Sequence, residues 1–117
     1  MSGARSYQAG LAAEGMVEQL YERSGRKICA RRWRGSAGEI DLIARDGAEV
    51  IFIEVKQSKT HALAVEQLTP RQMARIYGAA SEFIGGEPAG QLTTVRFDVA
   101  LVDGRGRIEI LENAFAA

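Results

Sequence analysis

The sequence predicts a single α/β domain, 1–117, a sandwich whose central mixed β-sheet is flanked by helices in the order α-β-β-β-α-β-β. Three observations lead there. The 117 residues are 46% hydrophobic and 26% charged, the balance of one folded domain with room for a core. One segment repeats apolar residues at helical spacing, a second is bounded by helix start and stop signals, and the runs between and after them read as strands. The run Val50-Ile51-Phe52-Ile53 is apolar on both faces, as in a central strand covered on both sides.

The elements follow in order. From about Ser6 to Ser24, Ala13, Met16, Val17, Leu20 and Tyr21 recur at helical spacing, and Gly25 suits the C-terminal cap with Arg23 and Arg26 near the negative end. Lys27–Trp33 is a strand interleaved with arginines, and Gly35-Ser36-Ala37-Gly38 is a turn. Glu39–Arg45 and Glu49–Lys56 form a hairpin around Asp46-Gly47. Gln57–Leu68 shows no period and reads as a mobile loop. Thr69 caps and Pro70 opens a helix that stops at Gly85-Gly86. After a linker over 86–90, Val95–Val102 is a strand, and Asp103-Gly104-Arg105-Gly106 turns into a last strand near Arg107–Leu111. No internal repeat interrupts this order.

Fifteen basic residues balance fifteen acidic ones, which argues against a bulk polycation. The charges are nonetheless segregated. Residues 1–35 hold seven cations against three acids, and six of those cations fall between Arg23 and Arg34. A single cysteine, Cys29, excludes a disulfide framework, and with one histidine, His61, the histidine- and cysteine-rich metal sites drop out. No stretch approaches the ~18 apolar residues of a membrane span, and no apolar signal-peptide core opens the chain. The expectation is a cytoplasmic protein without a membrane partner.

The informative stretch is Glu39-Ile40-Asp41-Leu42-Ile43 followed by Ile53-Glu54-Val55-Lys56. Residues two apart share a strand face, so register decides whether the acids meet. A two-residue loop, Asp46-Gly47, sets Asp41 opposite Phe52 and diagonal to Glu54. A four-residue loop, Asp46–Glu49, sets Asp41 opposite Glu54. Both put Asp41, Glu54 and Lys56 on one face. Two carboxylates so close in an apolar sheet persist with a cation, a shared proton or solvent access. Hard oxygen donors of this kind suit Mg²⁺ or Mn²⁺, and the chemistry implied is metal-assisted phosphodiester hydrolysis. The plainer alternative is an Asp41–Lys56 cross-strand salt bridge with Glu54 at the solvated end of its strand.

Asp41 and Glu54-Val55-Lys56, after a helix bearing Glu14, resemble the PD-(D/E)xK, restriction-endonuclease-like superfamily of nucleases. The ordered set Gly10-Leu-Ala-Ala-Glu14, Trp33-Arg34, Gly38–Ala44, Phe52–Lys56 and Arg96-Phe97-Asp98-Val99 is similar to the YraN-like family of small bacterial proteins, assigned to that superfamily. Archaeal Holliday-junction resolvases are the nearest functional analogy. The resemblance implies a restriction-endonuclease-like fold in which Asp41 and Glu54 ligate the metal with the Val55 carbonyl as third ligand. It further implies that Lys56 is the catalytic lysine and that Glu14 is an additional acidic residue. The chain departs from the pattern at Ile40, where a proline is usual, at Gln57-Ser58, and at Arg71-Gln72, where a lysine is usual.

Glu14, Glu18 and Glu22 fall on one helical row, which also reads as a solvated acidic face. Arg31, Arg32 and Arg34 with Trp33 read either as a phosphate-contacting edge with an indole free to stack, or as a strand with Trp33 packed inward. Cys29 reads as a small core residue, His61 as a surface histidine, and Arg96 with Asp98 as a structural ion pair. The functional expectation is a Mg²⁺- or Mn²⁺-dependent DNA endonuclease, on branched or structured DNA, acting as a homodimer. The alternatives are a nucleic-acid-binding module with a weak or inactive site, and a scaffold that retains only the fold.

Overall fold

A computed structural model describes residues 3–115; the two residues at each end of the predicted 1–117 domain lie outside the described residues. The chain runs α1 (Gly3–Arg23), β1 (Lys27–Arg34), β2 (Glu39–Asp46), β3 (Glu49–Gln57), α2 (His61–Val65), α3 (Pro70–Ile84), a 3₁₀ turn (Gly90–Leu92), β4 (Val95–Val102) and β5 (Ile108–Leu111). The five strands form one sheet in the order β1-β2-β3-β4-β5. β3 and β4 are parallel and every other neighbour is antiparallel, so the sheet is mixed as predicted. Among the described residues no helix is long and apolar enough to cross a membrane.

Period-two alternation on the strands sorts the core into layers. Ile51 and Ile53 pack with Leu42 and Ala44 against Ala13, Val17 and Tyr21 of α1. Val50 and Phe52 pack with Ile43 and Phe97 against Ile76, Ala79, Ala80 and Ile84 of α3. β3 is therefore covered on both faces, and its run 50–54 is wholly buried. Ala64 of α2 closes a smaller cluster over Val99 and Leu101.

Three local features differ from the sequence reading. β3 continues through Gln57, and the segment expected to be a mobile loop contains α2, capped by the Thr60 hydroxyl, which accepts from the Leu63 N–H. The Gln67 amide then donates to the Gln57 carbonyl at 2.9 Å, tying the segment to the strand end. Cys29 is exposed rather than core, because β1 bulges between Ile28 and Ala30 and the extra residue turns outward. Gly47 and Ala48 make the hairpin turn, with Gly47 at φ +62° and Asp46 paired with Glu49. The pairing is that of the four-residue-loop alternative: Arg45 faces Val50 and Leu42 faces Ile53.

A second irregularity sits in β1. Arg32 has φ +49°, a left-handed conformation that costs a non-glycine residue on the order of 1–3 kcal/mol and persists only when its surroundings impose it. It breaks the alternation, so that two successive residues, Arg31 and Arg32, both reach α1.

Candidate functional site

Asp41 and Glu54 come together where β2 and β3 part. The last paired residues are Leu42 and Ile53; one step on, the Asp41 carboxylate replaces the ladder by accepting the Val55 N–H at 2.8 Å. Glu54 is 5% exposed, and its carboxyl is close enough to Asp41 for the two to repel. Its Oε2 accepts from the Gln72 amide of α3 at 2.7 Å, and the Lys56 ammonium lies 3.2 Å from the same oxygen. The plainer alternative fails on both counts: Glu54 is buried, and the ion pair Lys56 makes is with Glu54. Asp41, Glu54 and Gln72 border a cavity of about 210 Å³ between the start of β2 and the first turns of α3, lined also by Gly38, Glu39 and Arg75, with Ile76 behind. A larger hollow of about 330 Å³ beside Leu92 has only Arg45 and Glu87 as charged lining, and these are closed on each other at 2.6 Å.

Glu14 approaches from α1. Both of its carboxylate oxygens accept from Arg32, at 3.1 and 3.2 Å, and it is close enough to Asp41 for the two to repel. Burial, and then Asp41, hold the Glu14 carboxyl above its usual range. Burial likewise raises Asp41. In Glu54, burial and the neighbouring Asp41 together push the carboxyl up to about 8, against the opposing pull of Lys56. Three carboxyls stand here with one lysine and one committed arginine, so repulsion adds to burial in favouring the protonated form of Glu54.

That proton has a consequence for stability. The folded pKa of Glu54 lies above its ordinary 4.5, so the stabilisation it gives is fully present below pH 4.5 and is lost as the pH rises through about 8. Glu54→Gln keeps the amide-sized group and removes the titration. The metal-free variant should therefore melt above wild type at pH 9, with the gap closing by pH 5; parallel melting curves against pH would refute the shift.

The donor chemistry fits Mg²⁺ or Mn²⁺. Two carboxylates and a backbone carbonyl are a common protein contribution for ions that keep most of their water. Among the described residues no three His, Cys, Asp or Glu side chains gather as a metal-holding group; Asp41 on β2 and Glu54 on β3, with Val55 next to Glu54, are the residues that could supply oxygen donors here. The predicted basic edge is placed differently from a free phosphate-contacting surface. Arg31 pairs with Glu18, Arg32 with Glu14 at 3.1 Å, and Arg34 with Glu39 at 3.3 Å. Trp33 packs edge-on to Phe83 at 5.3 Å between centroids, the inward alternative. Glu14 and Glu18 are thus ion-paired rather than a solvated row. Of the two further cavity residues, Gln72 enters the sequence reading only as part of Arg71-Gln72, where a lysine is usual, and Arg75 does not enter it; the signal for Arg75 was its position in the first turns of the helix that Thr69 caps.

The profile of the uncharacterised protein family UPF0102 matches residues 13–102. The chain belongs to that family. A UPF0102 protein of Cereibacter sphaeroides is 72% identical over 117 residues, covering all of both chains. Another, of Ruegeria pomeroyi, is 61% identical over 113 residues, 97% of this chain and 92% of its own. A UPF0102 protein of Dinoroseobacter shibae is 43% identical over 111 residues, 95% of this chain and 83% of its own. The UPF0102 match spans α1 from Ala13 through the end of β4, and so includes Glu14, Asp41, Glu54 and Lys56.

Proposed function

We propose that this UPF0102 protein is a metal-dependent endonuclease that hydrolyses DNA phosphodiester bonds, with a site of the PD-(D/E)xK, restriction-endonuclease-like kind. The observation that carries the reading is the convergence of Asp41 and buried Glu54 on one cavity, with the Lys56 ammonium 3.2 Å from Glu54 and both carboxyls held above their usual range by burial. Asp41 and Glu54, with the Val55 carbonyl, would hold Mg²⁺ or Mn²⁺. The bound ion supplies Lewis-acid polarisation of a phosphoryl oxygen. The chain does the rest. The Val55 N–H fixes the Asp41 carboxylate and the Gln72 amide fixes that of Glu54. Lys56 places an ammonium where negative charge develops on the phosphoryl group. Arg32 steers Glu14 toward Asp41.

The test is cleavage of branched, single-stranded and duplex DNA in Mg²⁺ and in Mn²⁺, alongside calorimetric titration of each ion. Wild type should bind the ion and nick at least one DNA form, and the Asp41→Ala/Glu54→Ala double variant should do neither. Cleavage surviving in the double variant would remove the site from the reaction, and no cleavage of any form with either ion would remove the activity.

A further inference from the structure

We propose that Arg71 and Arg75 of α3 are the phosphate-gripping groups of this site, holding the phosphodiester backbone of a nucleic-acid strand across the cavity mouth. The inference rests on the nuclease reading and deepens it by naming what meets the substrate. Four residues apart, the two side chains lie one above the other on one helix face, about 6 Å apart along the axis. Both are exposed, and Arg75 lines the cavity that holds Asp41 and Glu54.

Their charge is uncommitted. Neither has an ion-pair partner among the described residues, whereas Arg31, Arg32 and Arg34 of β1 each have one. The cations the fold leaves available beside the carboxylates are therefore those of α3. The backbone is shaped to bring them close. A Cβ on Gly38 would sit 3.1 Å from the Arg75 Cβ and 3.4 Å from its carbonyl oxygen, so the absence of a side chain there lets the start of β2 and α3 touch. An exposed guanidinium beside a carboxylate pair, yet in ion-pair contact with neither, has its planar donor fork free for phosphate oxygens. Phosphate is also the group the proposed reaction must bring to Asp41 and Glu54.

The experiment is fluorescence anisotropy of a labelled oligonucleotide, as DNA and as RNA of the same sequence, titrated in CaCl₂ over a salt series. Arg71→Ala and Arg75→Ala should each weaken binding about tenfold and lower the slope of log K against log salt by about one, on both polymers alike. Arg75→Lys should keep the slope. Arg105→Ala, at an exposed cation of the β4–β5 turn, should behave as wild type. A wild type that binds while the Arg71→Ala/Arg75→Ala variant retains its full slope overturns the grip and leaves the nuclease reading standing. A wild type that binds neither polymer at about 20 mM salt overturns both.

Discussion

Asp41→Asn should reduce metal-dependent cleavage by about 10³-fold or more while leaving the fold intact. The two halves of that statement come from different atoms of one side chain. The Val55 N–H needs an acceptor at 2.8 Å, and the asparagine carbonyl supplies it, so no buried backbone donor is orphaned. The charge is what is lost. An amide is a poor ligand for a hard dication, and it no longer repels Glu54, whose pKa falls once its second-largest upward influence is gone. Loss of one preorganised electrostatic group in an active site commonly costs about 10²–10³ in rate, and a ligand to the ion should cost at least that. The checks are initial cleavage rate and melting temperature on the same samples. A variant cleaving within tenfold of wild type would exclude Asp41 as a ligand, and a variant that fails to melt cooperatively would mean its role is structural.

Asp98→Ala should be the most destabilising single change among the polar residues, by about 3–5 kcal/mol, with the midpoint of a urea titration as the readout. Asp98 has no exposed surface. Its oxygens accept from the Tyr21 hydroxyl at 2.6 Å, from Arg96 Nε at 2.8 Å and Nη2 at 2.9 Å, and from the Asn113 N–H at 2.9 Å. Removing it strands a guanidinium that is itself only 16% exposed, along with a buried hydroxyl and a backbone donor. Tyr21→Phe removes one bond and leaves the ion pair, so its loss should be nearer about 1–2 kcal/mol. Equal losses in the two variants would show that the ion pair adds nothing. Neither residue lines the cavity that holds Asp41 and Glu54, so metal affinity of the folded fraction should be unchanged in both.

How much of this was legible in the chain follows the range of the interaction. The hairpin, the capped helix at Thr69-Pro70 and the doubly covered strand are written in neighbouring residues, and the structure has them where the pattern puts them. The register was left between a two-residue loop, Asp46-Gly47, and a four-residue loop, Asp46–Glu49, because the local sequence suits a turn in either register. The choice is made by Gly47 taking the first central position at positive φ, as a mirror-image turn requires. The helix of α2 carried a signal in Thr60 followed by His-Ala-Leu-Ala, but five residues are too few for a period to show. The pairings Arg31–Glu18 and Arg32–Glu14 were hidden for another reason. They need a bulge at Cys29 and a left-handed Arg32, neither of which the period-two pattern of β1 carries. Long-range placement hid Gln72, which reaches Glu54 only once α3 has crossed back over the sheet.

The separation between chemistry and scaffold can also be put in terms of chain length. Asp41 and Val55 are 14 residues apart and Gln72 and Glu54 are 18, while Tyr21 and Asp98 are 77 apart. Closing the longest of these loops carries about 1.5 kcal/mol more configurational entropy than closing the shortest, since the penalty grows as (3/2)RT ln n. The carboxylate pair is thus assembled by a contact that the chain reaches with little searching. The distant Tyr21–Asp98 bond is the clasp that fastens the first helix to the fourth strand and gives the hairpin a fixed body to stand on.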